Sequence, residues 1–141
     1  MSIEELFLRQ IDSVDGNIEV IVHPGQPMTC ISTGPFVWQV ENVDRDQVIE
    51  EIARVMTLSD GGDRVRPPLH LDSGEELQIN LQELRDRGNL VTDSLLWIIS
   101  GAAHLRVHIG TASLLVAALC EARQWQRTQL LNAAGAEVAK C

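Results

Sequence analysis

Residues 95–109, LLWIISGAAHLRVHI, restrict the fold more than any other stretch of the chain. Beyond Gly101 the run alternates: His104, Arg106 and His108 fall on one side, Leu105, Val107 and Ile109 on the other. A period of two marks a strand with one face in the core and the other toward water. The preceding run, from Leu95 to Ile99, is apolar on both sides, as an interior strand would be. Gly101 with Ala102 and Ala103 breaks the two, which predicts a β-hairpin with a short loop. Antiparallel sheet is therefore the expected framework.

The rest of the sequence supplies partners for that hairpin. Ser2 with Glu5 makes a capping-box pattern, and Ile3, Leu6, Phe7 and Ile11 share a helical face, so the spacing predicts a helix over 3–12. Three short strands are predicted at 18–22, 28–32 and 36–43, divided by Pro24-Gly25-Gln26-Pro27 and by Thr33-Gly34-Pro35. Phe36, Trp38 and Val40 share one face of the third, with Val37 and Val43 on the other. Asp44 is a good cap for a helix to Met56, with a stripe of Val48, Ile49, Ile52, Val55 and Met56, and with Asp46, Glu50, Glu51 and Arg54 outside. Residues 59–68 read as a loop. Short strands are expected at 69–71 and 77–81, and one helical turn over 82–88. The apolar run 113–119 has no decisive period, 121–132 is helical in composition, and a frayed tail is expected over 133–141. No internal repeat is visible. The whole reads as one α+β domain over 1–132, mostly antiparallel sheet with N-terminal, middle and C-terminal helices.

Charge and cysteine usage narrow the partners. Twenty carboxylates oppose eleven bases, for a formal charge of −9. Nucleic acid is not an expected ligand, because phosphate neutralisation needs clustered Lys and Arg. Cys30, Cys120 and Cys141 form no CxxC pair, so reduced thiols and a cytoplasmic setting are expected. The N-terminus lacks a signal-peptide pattern and no apolar run could span a bilayer, so membrane insertion is not expected.

No catalytic constellation stands out, and the chain reads as a non-enzyme. His104 and His108 would lie ~13 Å apart along one strand face, too far to share a metal, so neither metal nor cofactor is expected. There is no G-x-S-x-G, no Cys-His pattern and no phosphate-binding loop; Lys140 is the only lysine. Trp38 and Trp97 are expected in the core. Trp125 lies between Arg123 and Arg127 in a helical segment, where it either packs on the sheet or meets another protein. These three residues are the candidate protein interface.

The order of elements resembles the N-terminal PAS-like domain of the type IV pilus retraction and type II secretion ATPases. Pro24-Gly25-Gln26-Pro27 is similar to that family's Gly-x-Pro-Pro turn, Gly34 to its later glycine, and 44–56 to its following helix. Ser100 to His108 keeps Ala103, Arg106 and Val107 of its Ala-Arg-Phe-Arg-Val-Asn strand. Ile21 stands in place of the family's histidine and Ile31 in place of its arginine. The resemblance spans about residues 1–120 and leaves out the P-loop domain. It implies a strand at 113–119 and a non-catalytic adaptor or regulator, homo-oligomeric, whose partner is a pilus or secretion machinery protein. Size, acidity and the opening element order are equally similar to a homodimeric type III secretion chaperone that holds an effector segment.

Overall fold

A computed structural model describes residues 6–34, 36–57, 64–101 and 103–139, with side chains through 132. Its architecture is α+β: two four-stranded antiparallel sheets and two helices. The first sheet is a meander of β1 (Phe7–Ser13), β2 (Gly16–Val22), β3 (Met28–Thr33) and β4 (Phe36–Glu41), followed by α1 (Arg45–Met56). The second is a meander of β5 (Leu69–His70), β6 (Glu76–Arg85), β7 (Val91–Ser100) and β8 (Ala103–His108), followed by α2 (Ile109–Ala139). The fold thus repeats four strands and a helix, a repeat that no sequence similarity announces.

The predicted hairpin is β7–β8. Leu96 pairs with Val107 and Ile98 with Leu105; Gly101 takes the left-handed turn conformation at φ +59. Leu105 and Val107 are buried while His104 and Arg106 are exposed, as the alternation requires. Ile109 departs from the expected strand face and opens α2 instead. Trp38 is buried. Trp97, expected in the core, is half-buried on the opposite side of its sheet, where Nε1 donates to Gln82 Oε1 at 2.9 Å and the Arg106 guanidinium lies 5.4 Å from its ring.

Four further expectations are corrected. The helix predicted over 3–12 is a strand from Phe7 to Ser13, with 1–5 outside the described residues. Phe7 and Ile11 are buried at the expected i, i+4 interval, but seven consecutive register pairs with β2 supply the backbone partners that a helix would have supplied internally. Residues 82–85 extend β6 against β7 instead of making a helical turn. The run 113–119, a strand by the resemblance and without a decisive period by itself, is helical, part of α2, which reaches Ala139. Glu51, placed on the exposed face of α1, is buried and accepts hydrogen bonds from Arg66 at 2.6 Å and Arg54 at 3.1 Å.

One apolar cluster draws on both sheets and both helices. Ile31, Ile52, Leu96 and Leu115 are fully buried contributors from the four layers, and each such side chain stabilises by about 1.5–3 kcal/mol relative to exposure. Two aspartates tie the halves together. Asp44, at the start of α1, does not cap its own helix; it accepts from Ser73 N at 2.9 Å and Ser73 Oγ at 2.5 Å in the β5–β6 turn. Asp15, in the β1–β2 turn, accepts from the His108 backbone N–H at 2.9 Å and pairs with His108 Nδ1 at 2.7 Å, beside the N-terminus of α2.

Candidate functional site

Trp125, Arg123 and Arg127 lie on α2 where the helix leaves the core. Ala112, Leu115, Ala118, Leu119 and Ala122 are buried, Trp125 is half-buried, and Leu130 and Leu131 are 71% exposed. At ~1.5 Å per residue the helix is about 46 Å long, and among the described residues its burial ends at Ala122, with Leu130, Leu131 and Asn132 exposed. The Trp125 ring packs on Phe7 of edge strand β1, with centroids 6.1 Å apart.

The three residues line a pocket of about 500 Å³ with the Pro24–Pro27 turn and the start of α1. Gly25 holds φ +75 in that turn, a conformation only glycine adopts without strain. Gln26 N donates back to His23 O at 3.2 Å, and Asn42 clamps the turn through its backbone N–H to Pro27 O at 2.8 Å and its side-chain amide to Gln26 O at 3.3 Å. The pocket is thereby built from both halves of the molecule.

Its electrostatics centre on a residue that the sequence did not single out. Arg45, the first residue of α1, is 6% exposed. Its NH1 donates to Thr29 Oγ1 and Asn42 Oδ1, each at 3.4 Å, and to Gln126 Oε1. All three acceptors are uncharged, and Nε is buried without a partner among the described residues. Burial holds the guanidinium below the ordinary arginine range; the Asp46 charge opposes this, and Arg123 and Arg127 add to it. Asp46 is committed elsewhere, accepting from Arg123 NH1 at 2.9 Å, and its hydrogen bond holds Arg123 above the ordinary range against the effect of burial. Arg127 is exposed and makes no ion pair among the described residues.

A second polar group lies beside the start of α2. His108 sits between Asp15 and Asp93, with Nε2 3.9 Å from Asp93 Oδ2. Burial raises the Asp15 pKa, but hydrogen bonds from the His108 backbone, Thr111 and the His108 ring, with the ring's charge, bring it below the ordinary value. This arrangement is explained by anchoring α2. Among the described residues no group of three or more His, Cys, Asp or Glu side chains is placed to hold a metal, and no helix is long and apolar enough to cross a membrane. Cys30 and Cys120 are free thiols, each half-buried.

Compared with known proteins, the chain matches no family model, no curated protein and no solved structure.

Proposed function

We propose that the protein is a non-catalytic protein-interaction module that self-associates, and that its contact surface is the exposed stretch of α2 around Leu130 and Leu131 with the corner around Trp125, Arg123 and Arg127. The observation that carries this reading is the 71% exposure of adjacent Leu130 and Leu131, next to an aromatic residue and two arginines, the residue types enriched where interfaces are tightest. The outer side of β1 adds to it: β1 pairs only with β2 among the described residues, and Leu6 and Leu8 are exposed there. The role that fits is an adaptor or regulator, which is also what the resemblance to the pilus and secretion motors implies. Light scattering on a dilution series tests the reading. A species larger than the 15.6 kDa subunit is expected, shifting toward monomer in Leu131→Ser. A constant subunit mass up to high concentration rejects it.

A further inference from the structure

We infer that the pocket between the start of α1, the Pro24–Pro27 turn and α2 binds an organic carboxylate with an apolar body, and that Arg45 is its anchor. The inference rests on the pocket alone and does not require the oligomer. Arg45 bears three unfavourable conditions at once. Its charge is buried, which is costly without a counter-charge. It occupies the first position of a 12-residue helix, where the helix dipole disfavours cations and favours anions. Its Nε has no acceptor among the described residues. An anion seated at this point relieves all three, and the side of the guanidinium that carries Nε is the side left without partners, since the three hydrogen bonds all leave from NH1.

The class of anion follows from the walls. Asp46 pairs with Arg123, which leaves Arg45 and Arg127 as the arginines lining the cavity that make no ion pair among the described residues. Asn42 and Gln126 already present oxygens to Arg45, and the Asp46 carboxylate is close by, so a compact dianion such as phosphate meets more acceptors than donors. A flat carboxylate needs only two donors and fits a guanidinium edge. Pro27, Trp125 and Leu130 supply apolar surface for the rest of the ligand, and about 500 Å³ accommodates a small molecule or the last residue or two of a peptide.

The test follows the Arg45 Nε–H resonance by NMR in the full-length protein, assigned by through-bond correlation to the Arg45 backbone and checked as the peak lost in Arg45→Gln. The probes are 4-phenylbutyrate, its amide, inorganic phosphate, and an N-acetylated peptide ending in phenylalanine as free acid or as amide. A saturable shift with the free acids is expected, about tenfold weaker or absent with the amides, and weakened about threefold or more by Arg127→Gln. The second variant changes an exposed residue, so it tests the site even if Arg45→Gln fails to fold. Response to the peptide acid but not to phenylbutyrate identifies the terminal carboxylate of a peptide as the source; the reverse identifies a free metabolite-sized acid. Equal response to acid and amide, tighter binding of phosphate, or no saturable shift overturns the inference. Repeating the titration on Leu131→Ser, which leaves the pocket intact, registers loss of self-association separately from loss of binding.

Discussion

The two halves of the molecule have the same order of elements and put it to different use. The first uses strands of six or seven residues and a 12-residue helix. The second has a two-residue first strand, two strands of ten and a helix of 31. The first half supplies the ordered turn and the buried cation of the pocket; the second supplies the helix that reaches across to it and ends its described side chains in exposed Leu130, Leu131 and Asn132. A repeated topology thus becomes an asymmetric surface, and the asymmetry resides in α2. The first half also holds the second through two aspartates: Asp44 fixes the β5–β6 turn, and Asp15 fixes the start of α2.

The largest effect is expected in the second half. Leu105→Asp places an unpaired carboxylate on a core face, at a cost of several kcal/mol, about 3 or more, whereas His104→Ala on the exposed face of β8 is close to neutral. Chemical denaturation of the two variants checks the register. A larger loss from the histidine change would reverse the orientation of the strand.

Next comes the cross-half clip. Asp44 is 2% exposed and serves only Ser73 among the described residues. Asp44→Ala leaves the Ser73 N–H and hydroxyl without their acceptor and is expected to cost about 1–3 kcal/mol. If Asp44 acted as an ordinary helix cap, Ser73→Ala would be silent; instead it is expected to reproduce part of the loss. A thermodynamic cycle over the pair measures the coupling between halves directly.

The second clip between the halves is set by pH. Because the folded Asp15 pKa lies below its unfolded value, its contribution is fully present above the unfolded value of about 3.9 and is lost as pH falls through the folded one. Asp15→Asn is expected to lower stability at neutral pH and to flatten that acid limb. An unchanged acid limb would mean that α2 is held without Asp15.

What could be read in advance differs between the halves for a physical reason. The β7–β8 alternation and the α1 stripe are local patterns, and both were legible. Residues 7–12 were not: Phe7 and Ile11 suit a helix or a strand, and the choice is made by β2, whose register lies outside any short window. LQELRDR at 81–87 is rich in helix formers, yet its first half is recruited by ten-residue β7. At the site, Trp125 between two arginines was visible because the three are neighbours in sequence. Arg45 was missed because its significance depends on Thr29 and Gln126, 16 and 81 positions away. A signal existed: a cation in the first turn of a helix, where carboxylates are favoured.

The smallest effect sharpens how the halves meet at β1 and α2. The contacts that join them there include the Phe7–Trp125 ring packing and the Arg9–Glu121 ion pair. The ion pair has close geometry, but its side chains are 53% and 51% exposed, so solvent and salt screen it and side-chain entropy offsets much of the attraction. Arg9→Gln is therefore expected to cost under about 0.5 kcal/mol, with any loss disappearing at high salt. The guanidinium also lies 4.8 Å from the Phe7 ring, and a loss that persists in salt would assign the effect to that stacking. Phe7 is 4% exposed, so Phe7→Ala is expected to cost far more, about 3–5 kcal/mol. If the two variants proved equal, α2 would be held on the first sheet by charge, and the seam between the halves would be electrostatic rather than packed.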